Sequence, residues 1–355
     1  MTNFKKYLSY RLKNTAFRTV VIAVICTVFV CVYILDNIRV ADERMSAQCC
    51  ADAFAWMTLL LASVIPMLET YHLKNVRTLD VVFSLPVRRR DTALAHYLAG
   101  AIQLAIISLA MAAATFILLL IGGGGYFNVG YVIPMYLAVL FLSLCVYSFV
   151  IFIFGKGNTP GDGAVFVFGF YGAVIMLLLV LDSFIGRYMY VDYFLGKLLG
   201  SSGLVGVLSV FNPMNTIIVA FESLIEARSL STSSPIKAVS DLFSLLADAG
   251  MAYPLIVASV VWLAIGVACT LAYMRHFERY RAECAGDISD SLFGYRFIIP
   301  AFGFTIMYIF KDMIIFLNVA TLAAMLIGYF IYRRSFKIKL SDLIMVALSL
   351  VFIFI

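Results

Sequence analysis

Charge is what this sequence has least of. Only 13% of its 355 residues are Asp, Glu, Lys or Arg, about half of what a soluble domain carries. Hydrophobic residues make up 63%, more apolar surface than one aqueous core of this size can bury, so lipid is the expected solvent. Histidine is scarce as well, with three in the whole chain, and no cysteine pair has metal-ligand spacing with a histidine nearby. Cys26, Cys31, Cys145 and Cys269 lie within apolar runs, where a free thiol behaves as a small hydrophobe. Cys49 and Cys50 are adjacent, a spacing that strains a disulfide. A phosphate-cradling loop of the form GxxxxGK[ST] is missing. The nearest string, Gly155-Lys156-Gly157-Asn158-Thr159, fails because Gly157 follows the lysine and Val150 stands where a glycine is required.

Ionisable residues are also nearly absent from the centres of the apolar runs. Glu69, Asp182 and the Lys311-Asp312 pair sit at their ends, where a polar head reaches water at little cost. That argues against a proton-coupled carrier or cation channel, which keeps charges inside its spans. The cations are dispersed among the hydrophobic runs and form no continuous basic surface, which argues against nucleic acid as a partner.

What is present is a series of runs long enough to cross a bilayer, each needing ~20 mostly apolar residues. They fall near 16–35, 51–68, 92–121, 131–154, 163–182, 255–274, 293–310 and 313–332, and a ninth begins at Leu343 and is still running at Ile355. Thirteen residues are short for a span, so the chain stops unusually there or is a fragment. The expected fold is all-α: a polytopic helical bundle of about eight or nine spans forming a single transmembrane domain over 1–355. Met1 to Arg18 carries five Lys/Arg, a signal-peptide-like start, but the apolar run is too long for a signal peptide and no small-x-small cleavage site follows it. We read it as a retained span.

Lys and Arg in the connections set the orientation. With the N-terminus in the cytosol, the inner segments hold five cations at the N-terminus, five in 69–91, Lys156, four in 275–296 and four in 333–342, nineteen of the twenty-six. The long 183–254 stretch would upset this balance if it contributed a single crossing, so we read it as re-entrant or interfacial. Asn212-Pro213 and Ser234-Pro235 each supply an N-cap followed by proline at the first helical position, starting two amphipathic helices that lie on a membrane surface or pack on neighbouring spans.

The loop ETYHLKNVRTLDVVFSLPVRRRD, 69–91, carries the most information. Leu79, Val82 and Phe83 fall at helical spacing, and Pro86 ends that helix before three arginines. It is either a positive cluster that only fixes orientation or a short amphipathic helix for a partner to grip. Asp80, then Ser84-Leu85-Pro86-Val87, then Arg88, Arg89 and Arg90, followed by Tyr97-Leu98-Ala99-Gly100, resemble the loop between the second and third spans of permease subunits of type 2 ATP-binding-cassette (ABC) transporters from Gram-positive bacteria. Arg88 stands where those permeases commonly have Ser or Thr, and Phe83 where they often have His. A second patch, Arg279, Arg281, Glu283 and Gly286, is similar to an R-x-x-E-x-A-G element of the same family, with Tyr280 at its arginine position.

The resemblance implies a permease in a bacterial plasma membrane, working as a pair, identical or not, and exporting a peptide antibiotic, lipid or other amphiphile. It implies that 69–91 docks on a separate ATPase subunit, where ATP and Mg would bind, this chain holding no cofactor itself. It also implies that the N-terminal segment is an amphipathic elbow, with Phe4, Tyr7, Leu8 and Leu12 on one face and Lys5, Lys6, Arg11 and Lys13 reaching lipid phosphates. Gly169 and Gly172, with Ala95, Ala99, Ala112 and Ala113, serve packing within the chain or contact with the second permease.

Two further classes stand as alternatives. A secondary transporter should show inverted repeats with broken, charged spans, and none is visible. An intramembrane enzyme could use Ser202 in Gly200-Ser201-Ser202-Gly203, a rhomboid-like string. Its base would have to be His72, His96 or His276, all expected to start from the opposite side.

Overall fold

The computed structural model describes residues 2–40, 43–122, 129–187 and 252–280, then 283, 285–287, 289, 291, 293–309, 315–333 and 340–351. Among these the chain is helical, with no strand. In order come α1 (Thr2–Val40), α2 (Glu43–Thr70), a 3₁₀ turn (Tyr71–Lys74), α3 (Val76–Ser84), α4 (Arg89–Gly122), α5 (Val129–Lys156), α6 (Pro160–Arg187), α7 (Ala252–Arg279), α8 (Tyr295–Ile309), α9 (Ile315–Arg333) and α10 (Leu340–Val351). Five stretches are helical, long and apolar enough to cross a membrane: Phe4–Asp36, Ala53–Lys74, Arg89–Leu118, Tyr136–Lys156 and Ile256–Arg279. These are the marks of a membrane-embedded protein. Tyr295–Met307 and Asn318–Tyr332 are shorter apolar helices, and the run expected at 163–182 lies inside α6. The helices drawn from Asn212 and Ser234, with Ser202 and most of the 183–254 stretch, lie outside the described residues, as does Lys311-Asp312.

The chain divides into two compact units. The first holds α1, α2, α4, α5 up to Ile151, and α7 up to Glu278. Here α1 packs along α4 through a stripe of Thr15, Thr19, Cys26, Val30 and Ile34, all buried and spaced at four- and seven-residue steps that keep to one helix face. Its hydroxyls cause no penalty, since Thr15 donates to the Arg11 carbonyl at 2.9 Å and Thr19 to the Thr15 carbonyl at 2.9 Å. On the other side Phe17, Val24, Ile25 and Phe29 are exposed, the surface that hydrocarbon would cover.

An elbow is not what α1 forms. It is one continuous helix of 39 residues, about 58 Å long at 1.5 Å per residue. The physical reason is that Arg11 does not turn to lipid: its side chain is 11% exposed and ion-paired to Glu69, so the helix runs on through it into the span. Lys5, Lys6 and Lys13 remain exposed.

The second unit holds the 3₁₀ turn, α3, the end of α5, α6, and the chain from Arg279 through α8, α9 and α10. There α8 packs on α6, α9 and α10. Glycines make the close approach to α6: a Cβ on Gly169 would lie 2.9 Å from Ile298 Cδ1, and one on Gly172 2.7 Å from Phe302 Cζ. These two glycines therefore serve packing within the chain. Met307, Met325, Tyr329, Tyr332 and Val346 form the buried cluster among α8, α9 and α10.

Candidate functional site

The loop singled out from sequence folds as its spacing predicts. Asn75 caps α3, its side-chain oxygen accepting from the Arg77 N–H at 3.1 Å. Leu79 is fully buried, while Asp80, Val81 and Ser84 are exposed on the nine-residue helix. Ser84 turns its hydroxyl back to the Val81 carbonyl at 2.8 Å. Leu85 leaves the helix in an extended conformation, φ −68° and ψ 143°, as the residue before a proline must. Leu85 and Pro86 are exposed.

Arg88, Arg89 and Arg90 follow, all exposed, with α4 opening at Arg89. Three guanidiniums at a helix N-terminus oppose the positive end of its dipole, and Asp91 is the acidic residue of that first turn. Helix stability does not account for them. Arg89 reaches the Glu278 carbonyl at 3.5 Å. Asp80, Ser84 and Leu85 belong to the second unit, and Pro86 with the three arginines to the first.

Sequence reasoning missed Lys74, the last residue of the 3₁₀ turn, two positions before α3. Its side chain is buried, and its Nζ donates to the Gly155 carbonyl at 2.9 Å and to the Gly157 carbonyl. The rings of Phe154 and Tyr280 each lie 5.6 Å from Nζ, within cation–π range. Gly155 is in the last turn of α5, where carbonyls lack helical partners and carry partial negative charge. A lysine head suits that place.

The string that fails as a phosphate loop therefore has a structural role. It ends α5, turns, and opens α6, whose N-cap Thr159 accepts from the Asp162 N–H at 3.0 Å ahead of Pro160 at the first helical position. The turn is tight enough that a Cβ on Gly157 would lie 2.5 Å from the Gly163 nitrogen. The carbonyl of Lys156 accepts from the Ser289 hydroxyl at 2.6 Å, and that of Asn158 from the Gly286 N–H at 3.1 Å.

Gly286 comes from the second patch. Its φ is 92°, a conformation that favours glycine. Arg279 ends α7 and is exposed, as is Glu283, while Arg281 lies outside the described residues. The 69–91 loop and the second patch thus each send one group to the α5–α6 turn, Lys74 from the loop and Gly286 from the patch.

A buried ionic cluster is the other feature that spacing did not reveal. Glu69 is fully buried. Arg11 donates to its Oε2 at 2.8 Å, Arg18 to its Oε1, and the Gln103 amide to Oε1 at 2.8 Å. Gln103 also donates to the Thr15 hydroxyl at 3.0 Å, and Arg18 to the Leu68 carbonyl at 3.2 Å. One carboxylate ties α1, α2 and α4 together. The signal that could have found it is Arg18, the only charge within the 16–35 run, because an intramembrane cation needs a partner.

No family model matches the chain, and no curated protein matches it either.

Proposed function

We propose that this chain is the membrane-spanning subunit of an ATP-driven transporter of the type 2 ABC kind, energised by a separate ATPase. The reading is carried by α3, a short helix set between membrane-length helices that buries Leu79 and presents Asp80, Val81 and Ser84 outward. Next in the chain come three exposed arginines that oppose the dipole of the helix they open. Groups placed against local stability are what a docking surface requires. The docking set is Asp80, Ser84, Leu85, Pro86, Arg88, Arg89 and Arg90, with Arg279, Glu283 and Gly286, and Arg281 by sequence, as the second cytoplasmic patch.

In this reading the N-terminus is cytosolic, as nineteen of twenty-six Lys/Arg on the inner side require, and the chain crosses a bacterial plasma membrane eight or nine times. It works as one of two permeases and exports an amphipathic or apolar cargo. Movement of the ATPases pushes α3 and changes the tilt of the spans. The Glu69 cluster does not favour ion-coupled secondary transport. A carboxylate held by two guanidiniums and an amide has three of its about four acceptor sites occupied, so the cluster acts as a tie between helices.

The test is co-purification with a P-loop ATPase encoded beside this chain. Reversing Arg88, Arg89 and Arg90 to Glu should abolish it while the variant still inserts and folds. A folded variant that keeps its ATPase overturns the docking assignment. A single cysteine at position 84, in a background without native cysteines, should resist membrane-impermeant reagents added to intact cells. Labelling there would put the loop on the wrong side.

A further inference from the structure

Lysine is almost never buried unless paired. Lys74 is 7% exposed, yet the hydrogen bonds of its Nζ go to no carboxylate. Asp162 acts on Lys74 only from longer range. Its partners are instead two backbone carbonyls on either side of Lys156 and the faces of two rings. A compact ammonium with three donors on a four-carbon stem can serve both carbonyls at once, which a planar guanidinium matches less well.

Position in the chain adds a second observation. The 3₁₀ turn and α3 group with α6, α8, α9 and α10, although α2 before them, up to Glu69, and the whole of α4 after them group elsewhere. An exposed nine-residue helix has little intrinsic stability, so something must fix it to that body. Leu79 supplies apolar burial, and Lys74 supplies the polar attachment, four residues before the Thr78 position of α3.

We infer that Lys74 is a coupling latch: it locks α3 to the carbonyl end of α5, so that α3 and the α5–α6 turn move as one body. The inference rests on the permease reading for its purpose, since a helix that receives a push must be tied to what it moves. Without the latch, displacement of α3 would be absorbed in the backbone of the connection. Lys74 is a positioning residue and touches neither ATP nor cargo.

The first experiment needs no ATPase. In the purified full chain, amide hydrogen exchange is followed at 71–84 and at 155–163 for wild type, Lys74→Met and Lys74→Arg. Lys74→Met keeps the stem and removes the cation; it should raise exchange in both segments together by roughly tenfold or more, with α1 and α4 unchanged. Lys74→Arg should fall between. A rise confined to 71–84, or no rise, overturns the latch. Should Lys74→Met fail to insert, Lys74→Gln removes the cation while keeping an uncharged NH2 donor group and serves the same comparison.

The second experiment uses the complex with its ATPase. Nitroxides at Val81→Cys and Val165→Cys, both exposed sites, replace native cysteines as labels. Their separation should stay fixed on ATP binding in the wild-type background and broaden in Lys74→Met, while co-purification persists in both. An ATP-dependent change in the wild-type separation overturns the latch. A wild-type chain that binds no ATPase sinks the permease reading instead, and the exchange comparison alone then decides the latch.

Discussion

Arg11 and Glu69, fifty-eight positions apart, meet at 2.8 Å with the carboxylate fully buried. Arg18 bonds the other carboxylate oxygen, so two cations of α1 depend on one anion of α2. Removing one partner of a buried pair strands the rest and typically costs about 3–5 kcal/mol, whereas replacing the whole group by apolar residues is often neutral. Glu69→Leu should therefore lower the thermal unfolding midpoint in detergent by several degrees. The triple variant Glu69→Leu, Arg11→Met, Arg18→Met should recover most of the loss. A single variant as stable as wild type would remove the tie.

Gly100 faces Tyr147, and a Cβ there would collide with the Tyr147 hydroxyl. That hydroxyl is buried and donates to the Tyr97 carbonyl at 3.0 Å, while the Tyr97 hydroxyl bonds Ser148 at 2.8 Å. The ring is packed edge-on against Tyr97, 5.4 Å between centroids, and has nowhere to retreat. Gly100→Ala should cost about 1–3 kcal/mol as overpacking. Adding Tyr147→Phe deletes the oxygen in the way and should return part of that stability, read by the same unfolding assay. Additive losses in the double variant would mean the collision is relieved elsewhere.

At Gly286 the strain is of a different kind. Nothing lies within 4 Å of a Cβ built there, but φ is 92°. Gly286→Ala meets no neighbour and still loses about 1–2 kcal/mol through backbone conformation alone, and relaxing φ would draw its N–H away from the Asn158 carbonyl. Amide exchange near 158–163 should rise in Gly286→Ala and rise less in Gly286→Asn, which tolerates that region better. Equal effects from the two variants would contradict a conformational origin.

Most of the helices could be read from hydropathy because lipid leaves a chain few options: each span must be apolar and satisfy its own backbone. Runs expected at 92–121 and 131–154 fall inside α4 and α5, and 255–274 inside α7. The α3 helix followed from Leu79, Val82, Phe83 and Pro86, since periodicity and proline act locally. Contacts between distant positions leave no such trace. Lys74 looked like one more loop cation, and Glu69 like a charge at a span end with easy access to water. Both are buried, because backbone carbonyls 81 and 83 residues away accept from the lysine and arginines 58 and 51 residues away hold the carboxylate. The same pairing explains why the elbow expected at the N-terminus is a continuation of α1: Arg11, read as reaching lipid phosphates, is paired to Glu69 instead.

Asn75 offers a way to weaken α3 without touching its exposed face. Its side chain accepts from the Arg77 N–H, one of the orphan donors at the start of the helix, and removing such a cap costs about 1 kcal/mol. For nine residues that is a large share of local stability, because short helices are marginal in water. Asn75→Ala should raise amide exchange within 76–84 about fivefold, leaving 155–163 protected as long as Lys74 still holds the α5–α6 turn. Affinity for the ATPase should fall by a similar factor, since the partner must now order the helix it binds, whereas reversal of Arg88, Arg89 and Arg90 removes the attraction itself. If Asn75→Ala abolished binding as completely as the charge reversal, the arginines would not be the principal contact. Unchanged affinity despite a frayed α3 would place the docking surface outside this helix.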